Sequence, residues 1–253
     1  MRIVQHISFF YLEDRFKYLN QIISETNNYH FTTDIFIHTN VQFSKSKLPS
    51  YNNGNLTIIC HDLTGINPHY LTWKCRDLLK KQRHDYDIFM YLEDDILVTR
   101  KALEYWFSYN HRLIELNYNL GFVRIEVKDN KEYIHDITNL HGGKLDTFTE
   151  IDGKRFCVNN KNQYCAFWIY NKHEFNRFVD SKYYDINNIA NYYIREASAI
   201  GLHGWETPWY KATVIPVVNN QLIQDCKVYH LPNNYVNDPN SPFAKVLFTN
   251  CFA

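Results

Sequence analysis

Asp87-Ile88-Phe89-Met90-Tyr91-Leu92-Glu93-Asp94-Asp95-Ile96-Leu97-Val98 is an apolar run, rich in aromatic and β-branched residues, broken by three consecutive carboxylates. Such a run reads as a buried strand, and the acids fall where that strand leaves its sheet. Like charges this close raise one another's pKa unless a cation compensates them, so the cluster points to something positive nearby. A hard divalent ion prefers oxygen ligands, and Mg²⁺ is usually held by one or two carboxylates together with substrate phosphates. The stretch therefore reads as a site for a metal-bound nucleotide, at the strand end where α/β sheets receive such ligands. The competing reading is an acidic turn in which Asp94 and Asp95 cap the next helix.

Upstream of this stretch the pattern alternates strands with helices. Ile3 to Tyr11 reads as a first strand, and Glu13 to Ile23 as a helix with Phe16, Leu19, Ile22 and Ile23 on one face and acids in its first turn. Asp34 to Thr39 and Leu56 to His61 read as two more buried strands, separated by a polar loop that ends in the turn signal Asn52-Asn53-Gly54-Asn55. Pro68 to Lys81 opens on proline and repeats Leu71, Cys75, Leu78 and Leu79 on one face, which predicts a helix leading into the acidic strand. Neither G-x-G-x-x-G nor G-x-x-x-x-G-K-[ST] occurs, so phosphate would have to be met by metal or basic side chains.

Downstream, Lys101 to Asn117 predicts a helix with a broad aromatic face. Gly121 to Val127 and Glu132 to Asp136 predict antiparallel strands around the turn Lys128-Asp129-Asn130-Lys131. Phe156 to Val158 and Tyr164 to Tyr170 flank the turn Asn159 to Gln163, which reads as a surface hairpin or as a loop closing over a ligand. Lys172 to Val179 is a short helix, Ile194 to Gly201 is a helix ending at glycine, Thr213 to Val218 is a strand, and Asp225 to Tyr235 contains a strand ending in His230.

At 253 residues, with no Gly, Ser or Pro-rich linker, the chain is expected to form one domain, with 1–100 as a nucleotide-binding half and 101–253 as an acceptor and catalytic half. Lys plus Arg and Asp plus Glu balance at 27 each, which argues against a nucleic-acid partner. The N-terminal residues are too polar for a signal segment and no window approaches the ~20 apolar residues of a membrane span, so a soluble, cytoplasmic protein is expected. Six scattered cysteines without a Cys-x-x-Cys pair read as buried free thiols.

The run Tyr91-Leu92-Glu93-Asp94-Asp95-Ile96-Leu97-Val98, followed by Leu103-Glu104-Tyr105-Trp106-Phe107, resembles the DXD-type motif and following helix of GT-A glycosyltransferases. It is most similar to the Glu-Asp-Asp variant of the N-acetylglucosaminyltransferase I type. The resemblance implies an α/β fold of Rossmann-like character, with a mixed, mostly parallel central sheet flanked by helices and a small antiparallel sheet on the acceptor side. It implies Mn²⁺ or Mg²⁺ on Asp95, with Glu93 and Asp94 contacting a nucleotide-sugar donor, a UDP-sugar by default. Trp73, Lys74 and Arg76, on the helix before the motif, become candidates for base stacking or diphosphate contacts, and His230 for a further metal or diphosphate contact. Transfer to a hydroxyl of a glycan or other acceptor needs a base. Glu196 is the nearest match to the motif that supplies it, although Ala197 replaces the second acid; Glu206 is the rival, and Asp185 is untried. A carboxylate base would give inversion at the sugar, whereas a retaining enzyme would keep the same metal site. The alternatives are a nucleotidyltransferase, which would normally carry a Gly-rich basic N-terminal loop, and a non-catalytic glycan-binding module.

Overall fold

The computed structural model describes residues 1–138, 140, 143–189, 193–201 and 212–253. In chain order it begins with β1 (Arg2–Phe9), α1 (Phe16–Thr26), β2 (Thr32–Thr39), β3 (Leu56–Cys60), α2 (Arg76–Lys81) and β4 (Ile88–Glu93). After β5 (Ile96–Val98) and α3 (Arg100–Glu115) come β6 (Asn119–Leu120), β7 (Val123–Lys128), β8 (Lys131–Ile134), β9 (Phe148–Ile151) and β10 (Lys154–Val158). Then follow β11 (Phe167–Asn171), α4 (Lys172–Val179), α5 (Ile194–Ile200), β12 (Thr213–Val218), β13 (Gln221–Leu222), β14 (Lys227–His230), α6 (Asn234–Asn237) and β15 (Val246–Leu247). The protein is α/β, and its chain divides into two compact units, residues 1–96 with 166–202 and residues 97–165 with 203–253.

The first unit is built on a five-stranded sheet of order β11-β4-β1-β2-β3. β1, β2, β3 and β4 run parallel, and β11 is antiparallel to β4. The sheet is therefore mixed and mostly parallel. Every residue of β4 is buried, which is why it reads as continuous apolar chain with no alternation. Helix α1 buries Phe16, Leu19, Ile22 and Ile23, the face its periodicity predicts. The expected helix from Pro68 to Lys81 is instead a 3₁₀ stretch, Pro68–Trp73, followed by α2. Asn67 caps the first piece by accepting from His69 N, and the break falls between two anchored residues. Trp73 Nε1 donates to Ile194 O at 2.7 Å and Arg76 Nη2 to Ser198 O at 2.8 Å, so tertiary anchoring overrides the helical pattern here.

The second unit carries two sheets. In one, of order β13-β12-β10-β9, neighbouring strands are antiparallel, and β6 adds to β12 in parallel. The other has the order β15-β8-β7-β14-β5. In it β14 lies parallel to β7, while β8 is antiparallel to both β7 and β15. The β7–β8 hairpin turns at Asp129 and Asn130, both at positive φ (51° and 58°), a conformation that Asn and Asp tolerate better than other side chains. The hairpin reading of Asn159 to Gln163 is corrected. β10 pairs with β9 and β12, whereas β11 pairs with β4, so these strands belong to different sheets. The turn between them is held by Asn159, whose side chain accepts from Lys161 N and Asn162 N and donates to Asn162 O.

Among the described residues no helix is long and apolar enough to cross a membrane. Five cysteines are buried; Cys60, expected inside with them, is exposed at the end of β3.

Candidate functional site

Strand order reverses beside β1. The chain steps from β1 to β2 to β3 on one side, then places β4 on the other. Loops that leave the carboxyl ends of two such neighbours must diverge, and the crevice between them is where open α/β sheets receive ligands. Here Ser8 pairs with Glu93, so the ends of β1 and β4 lie level. A cavity of about 310 Å³ opens above them, lined by Ser8, Phe10, Leu12, Arg15, Pro68, His69, Leu71, Thr72, Glu93, Asp94 and Arg195. That volume is at the small end of the ~300–1,000 Å³ typical of ligand pockets.

The acidic run that ends β4 is buried, with side chains 9% (Glu93), 6% (Asp94) and 11% (Asp95) exposed. The chain itself supplies cations. Arg15, just after β1, donates from Nε to Asp94 Oδ2 and from Nη2 to Asp94 Oδ1, both at 2.6 Å, and from Nη2 to Asp95 Oδ2 at 2.7 Å. This is the two-pronged guanidinium–carboxylate geometry that gives strong charge-assisted bonds. Arg195, in the first turn of α5, places Nε 3.6 Å from Glu93 Oε2. Burial, with the neighbouring Asp95 charge, raises the Asp94 pKa to about 7 even though Arg15 pulls it down.

Of the residues expected at this site, Glu93 and Asp94 line the cavity and Asp95 adjoins them through Arg15. Trp73 and Lys74 are half-buried and do not line it. Arg76 is enclosed elsewhere in the first unit, its guanidinium carbon 4.7 Å from the Trp73 ring centroid and 4.8 Å from those of Phe178 and Tyr184. Glu196 is half-buried and follows Arg195, but only Arg195 reaches the cavity. Glu206 lies outside the described residues. Arg15 and Arg195 were not foreseen. The usable signal was the demand of buried acids for counter-charge, which named no partner.

His230 belongs to the second unit, where it meets two residues that sequence reasoning passed over. Its Nδ1 lies 2.5 Å from Glu126 Oε1, and His135 Nε2 lies 4.0 Å from the same oxygen. One potential ligand atom from each of these three buried residues lies within 4.8 Å of the others. Burial works to raise the pKa of Glu126, but the His230 bond and the backbone N–H of Val236 outweigh it and keep the carboxyl below its ordinary value. Burial likewise opposes ionisation of Asp136, and Arg124 and His135 overcome it.

No protein-family model matches the sequence, and no curated protein matches it.

Proposed function

We propose that the chain is a metal-dependent glycosyltransferase of the GT-A type, moving a sugar from a nucleotide diphosphate sugar, a UDP-sugar foremost, to a hydroxyl of a glycan or related acceptor. One observation carries the reading: the acidic end of β4 borders a cavity at the reversal of strand order, where a parallel sheet docks a nucleotide. The sheet order and the antiparallel β11 beside β4 agree with a Rossmann-like half of this kind.

The carboxylate set suits a hard divalent cation, and Asp95 is the residue assigned to hold it, with Glu93 and Asp94 toward ribose and sugar. A Mn²⁺ or Mg²⁺ bound there supplies Lewis-acid neutralisation of charge on a departing diphosphate. Arg15 and Arg195 line the same cavity, and guanidinium groups match phosphate oxygens well. Their role is to orient the diphosphate, while the apolar surfaces of Phe10, Leu12 and Leu71 receive the uncharged part of the donor. Glu196, next to Arg195 in α5, is the described carboxylate assigned to take the acceptor proton, which would invert the sugar centre.

The test is calorimetry with UDP, with and without Mn²⁺, followed by a screen of nucleotide sugars for slow hydrolysis. Metal-dependent UDP binding is expected, with hydrolysis abolished in Asp95→Asn and sharply lowered in Glu196→Gln. Full activity in Glu196→Gln would remove it as the base. Release of pyrophosphate from a nucleoside triphosphate and a sugar phosphate would favour a nucleotidyltransferase. Glycan binding without nucleotide or metal would favour a binding module.

A further inference from the structure

We propose that Glu126, His135 and His230 form a second, separate metal site, selective for a first-row divalent transition ion of the zinc class. It goes beyond the glycosyltransferase reading and uses residues of the second unit only. Strand register brings the three together. His135 directly follows β8 and its backbone N–H bonds to Arg124 O, so it sits across from Arg124 on β7. Tyr229 pairs with Ile125 in the parallel β7–β14 ladder, so the next step sets His230 beside Glu126. Side chains of paired residues share a face, and so do residues two apart on one strand, so Arg124, Glu126, His135 and His230 emerge together.

The decisive atom is His135 Nε2. It is buried and has no hydrogen-bond partner, in a side chain only 4% exposed. The opposite ring nitrogen, Nδ1, lies 2.9 Å from Asp136 Oδ1. Asp136 also receives Arg124 Nε at 2.9 Å and Nη2 at 2.6 Å, and Arg124 Nη2 stands 2.8 Å from His135 Nδ1. An ionised carboxylate only accepts and a guanidinium only donates, so Asp136 and Arg124 ask opposite roles of Nδ1; in the Nδ1–H tautomer that the Asp136 bond requires, Nε2 carries a lone pair. That lone pair faces Glu126 Oε1 at 4.0 Å inside the protein. Two electron-rich atoms so placed are a poor arrangement unless a cation joins them.

The surroundings resemble the outer shell that metal ligands require. Asp136 orients His135, and the Val236 N–H donates to Glu126 Oε2 at 2.5 Å. Phe243 stacks on the His135 ring at 5.2 Å between centroids, and Tyr235 meets it edge-on at 4.6 Å, excluding solvent. Two imidazoles and one carboxylate are a poor set for Mg²⁺ or Ca²⁺, which take mostly oxygen, and a suitable one for Zn²⁺, Co²⁺ or Fe²⁺. Metal–ligand bonds of ~2.0–2.2 Å would require the His230 Nδ1–Glu126 Oε1 contact to open and the 4.0 Å gap between His135 Nε2 and Glu126 Oε1 to narrow. The ion would then join β7, β14 and the residue after β8.

The experiment uses the full chain carrying Asp95→Asn, so that loss of the nucleotide-site metal leaves the outcome untouched. After chelation and dialysis, one equivalent of Zn²⁺ is expected to remain bound through gel filtration, and Co²⁺ is expected to give the visible bands of a four- or five-coordinate ion. His135→Asn should weaken Zn²⁺ binding by at least 100-fold, a loss exceeding the 10–100-fold typical of outer-shell changes. If that variant does not fold, the anomalous map of zinc-soaked Asp95→Asn crystals decides, with a peak expected at His135 Nε2. No retained zinc, zinc retained equally in folded His135→Asn, or a map without that peak would each overturn the proposal.

Discussion

Arg15 is 28% exposed at its side chain, yet it holds two buried carboxylates at once. Removing one member of such a buried pair leaves an uncompensated charge, at a cost of about 3–5 kcal/mol. Arg15→Met is therefore expected to lower the urea-unfolding free energy by that order at pH 7.5, and Arg15→Met combined with Asp94→Leu to recover part of it. A loss below about 0.5 kcal/mol, the size of an ordinary surface substitution, would mean that the ion pair contributes little. The acids themselves were legible, because three charges after an apolar run stand out locally. Their partner was not, since Arg15 and Asp94 are separated by 79 positions and only the pairing of β1 with β4 brings them together. Glu126 and His135 were missed for a similar reason. Each looks like an ordinary polar residue of a hairpin until β14 supplies His230.

At the scale of elements, β1, β2 and the residue that follows β3 carry a row of histidines through the first unit. His6 Nδ1 lies 2.8 Å from His38 Nε2, His38 Nδ1 lies 2.8 Å from His61 Nε2, and Gln82 Oε1 lies 2.9 Å from His6 Nε2. Gln82 can accept through that oxygen, so His6 donates from Nε2, and His38 and His61 donate onward along the row in neutral form. Burial pushes the His6 pKa down to about 3 and that of His38 well below its ordinary value; His61 is lowered as well, again chiefly by burial. A histidine lowered on folding binds fewer protons in the native state than in the unfolded chain. Its contribution is thus intact above the unfolded pKa of ~6.5 and is lost as pH falls toward the folded value. Each histidine held neutral should remove about 1.4 kcal/mol per pH unit below ~6.5. Urea unfolding between pH 7.5 and 5.0 should show this slope, made shallower in His6→Phe. An unchanged slope in that variant would contradict it. Sequence periodicity does reveal strands of this sort, but it conceals their partners: β10 and β11 look like one hairpin and enter different sheets. Helix α5 illustrates the same limit. Its terminal Gly201 was readable as a stop, but not its second duty, since at φ 56° an added Cβ would collide with the Tyr170 hydroxyl.

For the molecule as a whole, α/β class followed from alternating apolar runs and helical faces, whereas a mostly parallel sheet was only what the family resemblance implied. What the alternation did not convey is that 166–202 packs with 1–96, so the chain returns to its first unit through β11 and α5. That return delivers Arg195 to the cavity beside Glu93. A ligand held by elements so far apart in sequence should tie them together on binding. Saturation with UDP and Mn²⁺ at about 100 times the dissociation constant is expected to add about 2.7 kcal/mol to stability, read as a rise in melting temperature. The rise should shrink in Arg195→Met; an undiminished rise would remove Arg195 from the ligand's contacts.

The most direct measurement is an anomalous-scattering map of crystals soaked with manganese and a UDP-sugar. Nucleotide density in the cavity above β1 and β4 is expected, with a manganese peak bonded to Asp95 and the diphosphate within reach of Arg15 and Arg195. Nucleotide bound elsewhere, or a filled cavity with no metal and Asp95 still held against Arg15, would contradict the assignment of this chain as a metal-dependent glycosyltransferase.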